Sequence, residues 1–295
     1  ATIETGGRAE LRYRSHTRPT EYLLLVERFS AEDHRAGLFD YFFQTLRANE
    51  VLVDRFFYQG DLRICRNEQH PAGLNLLQLR YRYPDSRLLV VGTGYRMLSP
   101  ATGALAEWAE PLHAWRIRVL LTPVAHAAWG QREQKLAEVF SLLPASLQSL
   151  HFVAESPEEA STGQYDALPE YIRRIAEAQP LVLGEPVLRS LRQHFDPGLL
   201  AWIATCAIYP ALHFNLTLRL GRLTSEALGY NLVTAANLLA LARLPWFTAG
   251  QVPPEARNEL VGFLEARHPA LHARVIEYLY LLLERNPPPE NSAAW

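Results

Sequence analysis

A chain of 295 residues is long enough for two domains of ordinary size, each with its own buried core. With 48% hydrophobic and 20% charged residues it has the make-up of a folded globular protein, which excludes a disordered or fibrous chain. Its formal net charge of -2 gives no global electrostatic reason to expect nucleic acid or an anionic membrane as a partner. Cys65 and Cys206 lie far apart in the sequence, which rules out a disulfide framework and suits a reducing, cytoplasmic setting. No apolar run reaches the roughly 20 residues that span a bilayer. The first residues also lack the charged-then-apolar pattern of a signal peptide. Basic charge is almost all arginine, Lys135 being the only lysine, which a coding bias explains without any function.

Residues 1–20 are polar and read as a lead-in. Tyr22 to Val26 is an unbroken apolar run ending in charge, the pattern of a central strand buried on both faces of a parallel sheet. Leu38, Phe39, Phe42, Phe43 and Leu46 then recur at helical spacing between Glu32 and Ala48, and Asn49 ends the helix. Val51 to Phe57 is a second strand, followed by a polar loop from Tyr58 to Gly73. A short helix over Leu74–Tyr83 precedes a third strand, Arg87–Val91, which ends in Gly92-Thr93-Gly94. Leu105–Trp115 is helical in pattern despite Pro111, Arg118–Leu121 is a fourth strand and Gln131–Leu142 another helix. Leu147–Ala154 fits a fifth strand or a turn of helix equally well. The alternation implies a Rossmann-like α/β domain over 21–155.

Residues 156–170, rich in acids and hydroxyls, read as a linker. Beyond it helical patterns dominate over 171–285: Tyr171–Glu177, Glu185–His194, a helix opened by Asp196-Pro197, Leu216–Leu220, Leu228–Leu244, Pro254–Arg267 and Leu271–Glu284. Asn286 and three prolines stop the last one, and 286–295 read as a disordered tail.

In a parallel sheet, ligands sit outside the carboxyl ends of the strands, so Glu27 to Asp33 lie where chemistry is expected. Glu27-Arg-Phe-Ser-Ala31 resembles the metal-binding motif of von Willebrand A domains in position. The aspartate position holds Glu27, the two serine positions hold Phe29 and Ala31, and the second aspartate position holds Thr93. With those ligands replaced, no metal is expected. The order of strand, Ser30-Ala-Glu-Asp33, amphipathic helix, strand and polar loop also resembles the opening of a TIR domain. That resemblance implies NAD cleavage by a glutamate on the helix after the third strand, near a tryptophan, where this chain has Glu107-Trp108-Ala109-Glu110. Gly92-Thr-Gly94 is half of a dinucleotide fingerprint and reads better as a tight turn. Cys65 with His70, and His194, Cys206 and His213, have neither metal-ligand spacing nor a third orienting group.

The segments Phe195–Pro210, Leu216–Gly221 and Asn237–Phe247 resemble the winged-helix domain of STAND ATPases, which implies a packing and relay role. No Walker A pattern accompanies them. Arg189, Arg192, Arg219 and Arg222 could serve DNA phosphates, but the dense apolar residues around them favour a packing surface. Trp246 and Phe247 are either a core plug or a protein-binding anchor. The expected protein is therefore an α/β, Rossmann-like domain followed by a mostly helical, winged-helix-like one. The resemblances imply a non-catalytic sensor, adaptor or scaffold of bacterial defence that needs no cofactor and has proteins as partners. The alternative they imply is an assembly-activated, TIR-like NAD hydrolase using Glu107 or Glu110.

Overall fold

In a computed structural model of the chain, residues 22–30, 32–48, 50–161, 165–177, 184, 186–285 and 287 are described. The expected lead-in, the helix stop at Asn49 and the expected tail apart from Pro287 lie outside them. Strands β1 (Tyr22–Glu27), β2 (Val53–Gln59), β3 (Asp61–Arg66), β4 (Arg87–Val91), β5 (Arg118–Thr122) and β6 (Ser141–Pro144) form one sheet in the order β3-β2-β1-β4-β5-β6. Every neighbouring pair is parallel except β2 and β3, so the fold is α/β with one antiparallel edge strand.

The sheet separates two cores, which explains why β1 is apolar at consecutive positions. Leu23 and Leu25 enter one cluster, while Tyr22, Leu24 and Val26 enter the other. The first cluster is closed by α2 (Leu76–Arg82), the 3-10 helix Glu107–Ala114 and α3 (Gln131–Ala137), with Trp115 and Phe140 fully buried beneath them. On the opposite face α1 (His34–Ala48) lays down Leu38, Phe39, Phe42 and Phe43.

Several expected elements differ. The loop expected over Tyr58–Gly73 contains β3, turned back on β2 at Gly60, whose φ is 77°. Only Leu62 and Cys65 of β3 are buried, and its exposed arginines give an edge strand the composition of a loop. The helix expected over Gln131–Leu142 stops at Ala137, and Ser141–Pro144 forms β6. Leu147–Ala154 belongs to a helix, α4 (Leu147–Glu155), whose first turn is capped by the Ser146 hydroxyl accepting from the Ser149 N–H at 3.0 Å. The Leu105–Trp115 segment is a 3-10 helix from Glu107, around Pro111, which has no N–H to give an α-helical ladder.

Residues 156–170 carry α5 (Pro157–Ala160) and bury Ala160 and Leu168, before α6 (Glu170–Glu177). The remaining helices are α7 (Val187–His194), α8 (Pro197–Cys206), α9 (Phe214–Leu228), α10 (Ala235–Ala242), α11 (Pro245–Ala249), α12 (Pro254–Arg267) and α13 (Pro269–Arg285). The single helix expected over Leu228–Leu244 is thus not formed: Gly229, at φ 80°, ends α9, and the Thr234 hydroxyl caps a separate α10 by accepting from the Asn237 N–H. Among the described residues of this half there is no strand, only an antiparallel bridge between Ala211 and Gln251.

Helix α8 is the centre of this half and is buried from Gly198 to Cys206. The Asp196 carboxylate caps it by accepting from the N–H groups of Gly198 and Leu199. At its other end Arg257 donates to the carbonyls of Ala207 and Ile208. The same apolar cluster that covers one face of the sheet continues through α1 into α8, α9, α10, α11 and α12. No described helix is long and apolar enough to cross a membrane.

Candidate functional site

The strand order reverses between β1 and β4: the chain leaves β1 for β2 on one side and returns to β4 on the other. That reversal opens the crevice where doubly wound sheets hold ligands. Here it is lined by the last residue of β1, Glu27, and by Gly92 and Thr93, which follow β4. Tyr58 pairs with Glu27 in the β1–β2 register. The Glu27 Oε2 accepts from the Thr93 N–H at 3.1 Å, and the Tyr58 hydroxyl donates to the Val91 carbonyl at 3.1 Å. Gly92 has φ 153°, and a Cβ there would meet the Tyr58 oxygen at 2.4 Å and Glu27 Oε2 at 2.7 Å. Only glycine lets these groups close on one another.

Burial raises the Glu27 pKa, against the Thr93 N–H and the charges of Arg35 and Arg96, which lower it. Burial likewise lifts the Tyr58 phenol well above its ordinary range. The loop after β1 is tied down locally. Asp33 Oδ1 accepts from the N–H groups of Arg35 and Ala36 at the start of α1, and its Oδ2 accepts from Phe29. The Ser30 hydroxyl accepts from the Glu32 N–H. Phe29, at one of the serine positions of the metal motif, is 47% exposed, and Ala31 lies outside the described residues. Among the described residues no cluster of three or more His, Cys, Asp or Glu side chains is placed to hold a metal.

A second cavity, of about 1110 Å³, lies between the β2–β3 turn, the segment after β4 and helix α3. Glu107 and Trp108 line it, together with Arg63, Arg96, Arg132 and Lys135. Two of these cations are paired, Arg63 with Asp61 and Lys135 with Glu138, each at 2.7 Å. Glu110 does not line the cavity; its carboxylate lies 3.9 Å from His113.

The other residues singled out from the sequence are dispersed. The Cys65 thiol is buried, donates to the Leu62 carbonyl and is pushed up to about 12. His70 instead bonds Asn67 and Arg82. Burial also pushes the Cys206 thiol up to about 12, which leaves both cysteines as poor nucleophiles at neutral pH. His194 bonds the Ser190 carbonyl, and His213 precedes the first turn of α9. Arg189 and Arg192 stand on α7, Arg219 and Arg222 on α9, and the Arg192 guanidinium lies over the Phe263 ring. Trp246 and Phe247 are 7% and 0% exposed, so the chain's own core occupies them. Phe247 meets the edge of the His34 ring at 4.8 Å.

Comparison with protein-family models, with curated proteins and with solved structures finds no match. Sequence reading reached Glu27, Gly92 and Thr93 through the ends of their strands. It missed Tyr58 and Arg96, whose places depend on which strands lie side by side. The Gly60-Asp61 turn was the one local signal of the hairpin that brings Arg63 and Arg96 to the same cavity.

Proposed function

We propose that the chain is a non-catalytic protein-interaction component, a sensor, adaptor or scaffold of the kind that bacterial conflict and defence systems assemble from modules. The observation that carries this reading is the crevice between β1 and β4. Glu27, Tyr58 and Gly92 close on one another there, in the place where a von Willebrand A-like sheet would hold its ligand. An apolar surface supports it further: Leu77 and Tyr81 on α2 are 61% and 91% exposed, and Ile64 on the edge strand β3 is 47% exposed. In this reading the helical half, taken as winged-helix-like, packs on the sheet through α1 and passes on the occupancy of that surface.

One observation favours a second reading, an assembly-activated TIR-like NAD hydrolase. Glu107 lines the large cavity beside Trp108 and arginines that could meet phosphates. The test is NAD consumption by the purified chain at high concentration, with and without a crowding agent, beside a Glu107→Gln/Glu110→Gln double variant. The adaptor reading expects NAD to be stable in every sample. Loss of NAD in the wild type alone would sink it and put the hydrolase in its place.

A further inference from the structure

The charge of Arg96 acts at a distance on the Glu27 and Asp61 carboxylates, yet the large cavity holds two guanidiniums with no close carboxylate among the described residues. Arg63 and Lys135 have their carboxylates, but among the described residues neither Arg96 nor Arg132 is within salt-bridge distance of one. The carboxylate next to Arg132 in sequence is engaged elsewhere. Glu133 is buried, accepting from the Tyr95 hydroxyl at 2.5 Å and from the Gly130 N–H at 2.8 Å. Arg132 therefore rests on the Tyr95 ring face, 4.9 Å from its centroid, and Tyr95 immediately precedes Arg96. Arg96 lies across the β2–β3 turn, where its Nη1 would be 2.8 Å from any Cβ at Gly60. Both guanidiniums thus lie against aromatic or backbone surface, and among the described residues neither donates a hydrogen bond to the protein. A planar guanidinium presents a fork of N–H groups that matches phosphate oxygens. Trp108, half-buried against the sheet core, adds a flat apolar wall, and among the described residues Arg63 is the one cation over its ring, 5.8 Å from the centroid.

We propose that this cavity binds a nucleoside polyphosphate, with Arg96 and Arg132 holding the phosphates and Trp108 taking the base on its ring face. There is room for such a ligand, because at about 1110 Å³ the cavity is somewhat larger than the roughly 300–1,000 Å³ of common small-molecule pockets. Glu107 is the counter-argument within the lining, since its carboxylate repels a polyanion. The assignment therefore makes a signed prediction: removing that charge strengthens binding. Binding alone is at issue, whether or not Glu107 does chemistry, so NAD turnover and this proposal stand or fall separately.

Titration calorimetry of the whole chain with ADP, pyrophosphate and adenosine tests it. ADP is expected to bind saturably and to weaken at least about tenfold in Arg96→Gln/Arg132→Gln, each lost charge-assisted bond being worth that much. Both arginines are exposed, so the double variant keeps the wild-type melting temperature. Trp108→Leu is expected to weaken ADP and leave pyrophosphate unchanged, and Glu107→Gln to tighten ADP. Absence of saturable ADP binding in the millimolar range would overturn the proposal. So would an affinity indifferent to the two arginines, or pyrophosphate binding as tightly as ADP, which would make the cavity a plain anion site.

Discussion

Glu27 is a carboxylate that the fold holds where its charge is disfavoured. It is 6% exposed, and burial outweighs the Thr93 N–H and the two nearby arginines, so its folded pKa lies above the ordinary 4.5. The sign of the linkage follows. A raised folded pKa means that the folded state binds the proton more tightly, so the contribution to stability is fully present below pH 4.5 and is lost as pH rises through the folded value. Glutamine keeps a carbonyl for the Thr93 N–H and removes the charge. Glu27→Gln is therefore expected to melt higher than the wild type at pH 7.5, with the gap closing as pH falls through the raised folded pKa and fully closed below 4.5. Thermal melts of the two proteins across that range check it; a gap that widened in acid would mean that the buried carboxylate is stabilised by its arginines. The identity of this residue was legible from the end of an apolar run. Its burial was not, because that depends on Tyr58, which lies 31 positions later and arrives only through strand pairing.

At the scale of elements, periodic segments with clear stops were the ones readable from the sequence. Pro254–Arg267 matches α12, and Asp196-Pro197 marked the start of α8, because caps and prolines act within one turn. The misread elements are those whose signal is non-local. Four residues of β6 carry too short an alternation to be separated from the helical pattern before them, and β3 is recognisable only by its pairing with β2. Side-chain fit between helices is equally invisible to periodicity, and α8 against α9 is the example. Gly221 on α9 faces Trp202 on α8, and a Cβ there would meet two indole carbons at 2.4 Å. The indole cannot give way: it is fully buried and its Nε1 donates to the Thr217 carbonyl at 2.9 Å. Alanine would gain about 1 kcal/mol of helix propensity over glycine. Overpacking a rigid core costs about 1–3 kcal/mol, and a contact this short against an anchored ring falls at the upper end. Gly221→Ala is thus expected to lose net stability by denaturant titration, whereas Gly262→Ala on α12, with nothing within 4 Å of its Cβ, is expected to gain.

For the whole molecule the question is whether the α/β half and the helical half are one energetic unit. Composition changes sharply near residue 156, yet the buried side chains do not divide there. The cluster under α1 runs on without interruption through Trp202, Leu220, Phe247 and Leu260. At the seam sits His34, whose Nδ1 bonds the Glu32 carbonyl at 2.8 Å and whose Nε2 bonds the Thr217 hydroxyl at 2.7 Å. Burial, with His213 nearby, lowers its pKa from 6.5 to about 4, so the neutral ring is the folded form: Nδ1 donates and Nε2 accepts. A depressed histidine contributes stability that is fully present above pH 6.5 and is lost as pH falls toward 4, by about 3 kcal/mol at about 1.4 kcal/mol per unit. Two outcomes are expected together. Unfolding followed by far-ultraviolet dichroism and by tryptophan fluorescence should give one coincident transition, with equal calorimetric and van't Hoff enthalpies. Its midpoint should fall between pH 6.5 and 4 by more than in a His34→Phe variant, which starts lower because Thr217 and Glu32 lose their partner. Two separated transitions would show that the shared core does not couple the halves, and the helical half could then move as a unit on the α1 face.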